Sequence, residues 1–237
     1  MNLLQIIQEF CGRVGITKPI TVMSSQDTQY LQLVGLLNEV IDYTISRDGW
    51  QWQQLSASFT STGEESQGYM YNIATLGYMW MIDDTFYPVG SSELVVGPVN
   101  PREWASMHAS NSSPVKYGYR IKEGKLFLYP APPSTVQFTF EYVSDFTVTG
   151  ELHITWQKYF LLDSDVCSLP DSLLLAGLKA FWKRESGFRY AEDFVTFEGL
   201  VTTFFSKDGT KRPLSMEPPN GGSRPGIMIP IGNWSVS

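Results

Sequence analysis

Helical periodicity occupies the two ends of this chain, and strand-type alternation fills the stretch between them. Leu3, Leu4, Ile6, Ile7, Phe10, Cys11 and Val14 recur at helical spacing, as do Tyr30, Leu31, Val34, Leu37, Val40, Ile41 and Ile45. At the far end the same spacing returns in Leu173, Leu174, Leu175, Leu178, Phe181 and Trp182, then in Ala191, Phe194, Phe197, Leu200, Val201 and Phe204. Neither end carries enough apolar surface to bury its own stripe, so each needs the other. The expected fold is α+β: a discontinuous helical bundle drawn from both ends of the chain, an inserted antiparallel β domain and an extended C-terminal tail. The bounds read from the pattern are 1–49 for the first helical part and 50–150 for the β-rich insertion. The second helical part spans 151–212 and the tail 213–237.

The turn chemistry agrees with that layout. Gly15 and Pro19 stop the first helix. Ser24 or Ser25 is the expected N-cap of the second, with Asp27 placed to favour its dipole. Arg47, Asp48 and Gly49 close it. Trp50 and Trp52 alternate with Gln51 and Gln53, which puts both rings on one face of a strand. A further strand is expected through Ser56–Thr62, before a turn at Gly63–Glu65. Met79–Ile82 predicts a short strand, Asp83–Asp84 a turn, and Pro101 the first residue of a short helix. Tyr117–Ile121 and Lys125–Tyr129 flank Glu123–Gly124 as a hairpin. Val136, Phe138, Phe140 and Tyr142 give a strand with one aromatic face. Pro170–Asp171 opens a helix that ends at Gly187, and the next runs from about Tyr190 to Lys207–Gly209.

Composition limits the function. The chain has 237 residues, 43% of them hydrophobic, enough for a real core of one or two domains. The formal net charge is −7, against the clustered Lys and Arg that wrapping a nucleic acid requires. An acidic surface is still compatible with a pore through which DNA slides. The two cysteines, Cys11 and Cys167, lie in apolar contexts and are expected as buried free thiols. The N-terminal stretch lacks the basic leader and apolar run of a signal peptide. No stretch approaches the roughly 20 apolar residues of a membrane helix. The expectation is synthesis and folding in the cytoplasm.

Catalytic patterns are thin. The two histidines, His108 and His153, have no GxSxG or cysteine partner near them in sequence. Asp83/Asp84 and Asp163/Asp165 are paired carboxylates, but sequence neighbours seldom span a sugar cleft of roughly 5–9 Å, and turn formation explains them better. Trp50, Trp52, Trp80, Trp104 and Tyr129 could stack on sugars, although an aromatic β core reads the same way. No HExxH, EF-hand loop, Cys/His spacing, Walker loop or GxGxxG is present. No metal, cofactor or enzymatic activity is therefore expected. Lys183, Arg184 and Arg189, and then Lys207, Lys211 and Arg212, could meet a phosphate or an acidic partner, or simply favour helix C-termini. From Arg212 the composition turns to Pro, Gly and Ser, yet Ile227, Met228, Ile229, Ile231 and Trp234 follow. Apolar anchors on an extended tail point to docking on a partner.

Several segments together resemble the head-to-tail adaptor (connector, or head-completion) proteins of short-tailed bacteriophages. They are Leu169–Leu174, Gly177–Arg184, Gly187–Ala191 and Lys207–Gly209, with Leu36–Val40 and Trp50–Trp52 at the front. The resemblance implies a structural virion protein at the head–tail junction, forming a homo-oligomeric ring of twelve copies in many relatives. It implies portal protein on one side and a tail nozzle or tail tube protein on the other. Packaged DNA would pass through the channel without specific binding, and no membrane is involved. It further implies portal contacts by the tail, which carries Arg224, Pro225, Ile227, Met228, Ile229, Pro230, Ile231 and Trp234. A glycan-binding or cell-wall-degrading virion protein acting through the β domain is the alternative.

Overall fold

The computed structural model describes residues 1–47, 49–109, 116–150, 152 and 154–209. Among them the fold is mixed, with six α-helical segments and antiparallel sheets. The chain begins with α1 (Leu3–Val14), α2 (Thr28–Ile45) and a 3₁₀ turn at Gln51–Gln53. Strands β1 (Gln54–Thr60) and β2 (Ser66–Tyr69) lead to the single turn α3 (Met70–Ile73). Short strands β3 (Trp80–Met81) and β4 (Tyr87–Pro88) precede α4 (Pro101–Ala109). Then come β5 (Gly118–Lys122), β6 (Lys125–Tyr129), β7 (Gln137–Val143), β8 (Val148–Thr149), β9 (Trp156–Gln157) and β10 (Val166–Cys167). The helices α5 (Asp171–Glu185) and α6 (Ala191–Asp208) complete it.

Local chemistry accounts for several helix ends. Asn2 caps α1 through a reciprocal box with Gln5, and Gly15, in the left-handed region at φ 75°, ends it. Asp27, rather than Ser24 or Ser25, caps α2: its carboxylate accepts from Gln29 N at 2.9 Å, while Ser25 Oγ accepts from Asp27 N. A carboxylate is the stronger acceptor at the positive end of the dipole, which explains the shift. At the end of α5 the Gly187 and Phe188 N–H groups return to Arg184 O and Lys183 O. Phe188 then packs on Trp182, with ring centroids 5.7 Å apart, the apolar contact that accompanies this type of cap.

Two hydrophobic clusters form. The first joins α1 and α2 to α5 and α6, with Trp50, Val148, Phe160, Cys167 and Leu169 at its edge. Gly177 lets α5 approach closely, since a Cβ there would sit 2.5 Å from Val40 Cγ1 and 2.9 Å from Phe197 Cε2. Tyr43, Phe181 and Phe197 meet beside it, and Tyr43 Oη donates to Glu198 at 2.7 Å. Trp182 is only half-buried, against Phe10, so it borders this cluster rather than filling its centre.

The second cluster lies between Ala57 and Tyr142 in sequence. Here β7 pairs with β1 on one side and with β3 and β4 on the other, all antiparallel. The register sets Phe59 opposite Phe138 and Ala57 opposite Phe140, and Phe86 closes on both β7 rings at 5.6 Å. A second sheet, β2–β6–β5, contains the expected hairpin, whose turn residues Glu123 and Gly124 both take positive φ.

The Trp50–Gln53 reading is corrected. These residues form a 3₁₀ turn, not a strand, and they send Trp50 into the helical cluster at 3% exposure. Trp50 Nε1 donates to Thr44 O, which terminates α2 from inside. The alternation of Trp and Gln imitates a strand, but the deep burial of one indole decides the backbone.

Candidate interaction surface

The tail residues Arg224, Pro225, Ile227, Met228, Ile229, Pro230, Ile231 and Trp234 lie outside the described residues, as do His153, Lys211 and Arg212. Within the described chain, one segment stands apart because it holds large apolar side chains in water. Leu152 and Ile154 are 79% and 75% exposed, and Leu161 and Leu162 are each 61% exposed. Trp156 and Tyr159 are also exposed there.

Two carboxylates hold this segment in place. Asp165 is 1% exposed, and one of its oxygens accepts from Leu161 N and Leu162 N at 2.8 Å and from Gln157 Nε2 at 2.6 Å. Three charge-assisted bonds on a buried carboxylate fix the backbone into a tight turn and leave the two leucines no inward direction. Asp163 grips a different part of the chain, accepting from Val22 N at 3.0 Å and Met23 N at 2.8 Å. That bidentate bond draws in the α1–α2 connector, which carries Ile20 at 90% exposure. The carbonyls of the same two aspartates accept from Leu4 N and Leu3 N, satisfying first-turn donors of α1 that a helix leaves unpaired.

The small sheet β10–β8–β9 takes in Trp156 and Gln157 of the segment itself. Nearer α2, Tyr159 Oη donates to Asp42 at 2.9 Å, and Lys158 lies 3.7 Å from Asp42 and 3.6 Å from Asp145. Burial works against the Lys158 charge, but Tyr159 and the two carboxylates outweigh it and hold the ammonium above its usual range. The result is an apolar rim on a backbone tied at several points. Sequence inspection reads Asp163 and Asp165 as turn formers, which they are. The exposed leucines carry no signal of their own, because a leucine in an irregular stretch reads as core.

The other candidate residues do not converge. Trp50 is buried and Trp52 lies beside it, with ring centroids 6.4 Å apart. Trp80 sits on the β7 sheet, while Trp104 and Tyr129 meet at α4, where the His108 ring covers the Tyr129 face at 4.2 Å. The five aromatics proposed for sugar stacking are thus divided among three places. Asp83 and Asp84 occupy a turn, with Asp84 at φ 59°. Lys183 pairs with Asp193, and Arg184 pairs with Glu39 at 2.8 Å, so these two cations serve helix–helix contacts. Both cysteines are buried and free, and burial pushes the Cys167 thiol up to about 12, far from a reactive thiolate.

Among the described residues, no group of His, Cys, Asp and Glu could hold a metal ion, and no helix is long and apolar enough to cross a membrane. Compared with known proteins, the chain matches no family model and no curated protein.

Proposed function

We propose that this chain is a structural virion protein: a head-to-tail adaptor that binds the portal as an oligomeric ring, extends the DNA channel and carries the tail. The role is non-enzymatic. On this reading the helices from both ends form one unit, and the residues between Gln54 and Val143 form an inserted β unit hung from it. The observation that carries the proposal is the rim at Leu152–Leu162. A monomer has no use for leucines held out on a tied backbone, whereas a ring subunit buries such surface against a neighbour. The net charge of −7 suits a lumen that repels the DNA backbone and lets it pass. The resemblance of Leu169–Leu174, Gly177–Arg184, Gly187–Ala191, Lys207–Gly209, Leu36–Val40 and Trp50–Trp52 to phage adaptors supplies the partners: portal above, tail nozzle or tail tube protein below.

Negative-stain microscopy of the full chain mixed with the portal ring of the same genome tests this. An added annulus below the portal is expected. The double variant Leu161→Asp, Leu162→Asp should keep its circular dichroism spectrum and lose the annulus. A bare portal with wild-type chain left free would overturn the proposal.

A further inference from the structure

Helix α4 contributes no buried residue to either cluster, so something other than core packing holds it to the β2–β6–β5 sheet. Among the described residues, three of its side chains meet the sheet. Met107 lies over Gly118 of β5, where an added Cβ would stand 2.9 Å from the methionine methyl carbon. Trp104 sits edge-on to Tyr129 of β6, at 6.2 Å. His108 also reaches it, and its geometry is unusual.

Both ring nitrogens of His108 face acceptors. Nδ1 is 2.9 Å from Trp104 O, and Nε2 is 3.2 Å from Glu65 Oε2. A carbonyl has no proton to offer, and an ionised carboxylate has none either. A neutral imidazole carries one N–H and would meet one of the two acceptors with a lone pair. Only the imidazolium donates to both. Its face lies on Tyr129, with centroids 4.2 Å apart and planes inclined by 32°, a position that also favours the cation.

Glu65 is well placed as an anchor, because its own carbonyl accepts from Leu128 N of β6 at 2.8 Å. The bond from His108 to Glu65 therefore spans from α4 to the sheet. We propose that His108 is a proton-operated clasp, closed as the imidazolium and loosened when the ring loses its proton.

The groups around the ring agree in sign. The Trp104 carbonyl acts most strongly, then Glu65 through its hydrogen bond; burial opposes them, and the charge of Glu65 adds to the rise. The His108 pKa is raised above 6.5 in consequence. A raised histidine pKa gives stabilisation that is complete below the unfolded value and lost as pH rises through the folded value. The clasp is thus closed below the ordinary histidine range and opens as pH rises through the raised His108 pKa. Opening frees the Tyr129 face and loosens α4, whose Glu103 and Met107 line a groove of about 440 Å³ with Val96, Val99 and Lys116.

Imidazole proton NMR of the full chain tests the clasp, with His153→Gln used to separate the two histidine signals. His108 should titrate above about 6.5, and Glu65→Gln should lower that value. In the wild type, hydrogen-exchange protection of the α4 amides, corrected for intrinsic rates, should fall about two- to fivefold as pH rises through the His108 pKa, the range of a solvent-accessible charge pair. His108→Gln should remove that dependence. A His108 pKa at or below the ordinary value, or wild-type α4 protection that stays constant through the titration, would overturn the proposal.

Discussion

At the residue scale, Gly177 sets how closely α5 lies to α2. Glycine is a poor helix former, and a sequence reading sees only its cost. The structure shows the return, since Val40 and Phe197 occupy the space a methyl group would need. Gly177→Ala should therefore destabilise the chain by about 1–3 kcal/mol, although alanine is the better helix former. Urea unfolding checks this, and unchanged or increased stability would mean that the two helices part freely. Asp27 teaches a related lesson. Sequence reading offers Ser24 or Ser25 as the α2 cap, yet Asp27, the stronger acceptor, takes the position while Ser25 supports it.

At the scale of elements, the two aspartates of the 161–165 turn do more than shape that turn. Asp163 holds the α1–α2 connector, and the pair offers carbonyls to the start of α1. Replacing Asp165 by Ala strands two backbone N–H groups and the Gln157 amide in a part-buried site. A loss of about 2–3 kcal/mol is expected, with faster hydrogen exchange at both Leu161–Leu162 and Leu3–Leu4. Exchange confined to the turn would show that the start of α1 stands independently. These ties were not legible in the sequence, because they join residues some 140 positions apart. What was legible rests on neighbours. The helix stripes, the Glu123–Gly124 hairpin, Pro101 at the head of α4 and Gly187 after α5 are all written within a few residues. Strands of two residues, such as β8, β9 and β10, are too short for any period to show. Trp50–Gln53 was misread because an alternating pattern of four residues suits a 3₁₀ turn as well as a strand.

At the scale of the whole molecule, the candidate site was the least legible part. The tail anchors rest on composition and lie outside the described residues. The rim was missed because exposure is a property of the finished fold. Both are expected to serve assembly, and they are separable. Removing residues 213–237 should leave the melting temperature of the remainder unchanged and abolish portal docking. Unchanged portal affinity after that removal would overturn the tail's role in docking.

The chain leaves the helical cluster near Gln53 and comes back at Ser144, and these two residues are bonded twice. Ser144 N donates to Gln53 O, and Gln53 Nε2 donates to Ser144 O, both at 2.9 Å. Outgoing and returning segments thus meet at one clasped neck. Anything whose two ends lie equally close can hang from such a neck at little loop-closure cost. The position is a natural graft point: a foreign domain spliced between Gln53 and Ser144 would leave the helical scaffold's own contacts intact, so the scaffold could be refitted for a different neighbour without being rebuilt.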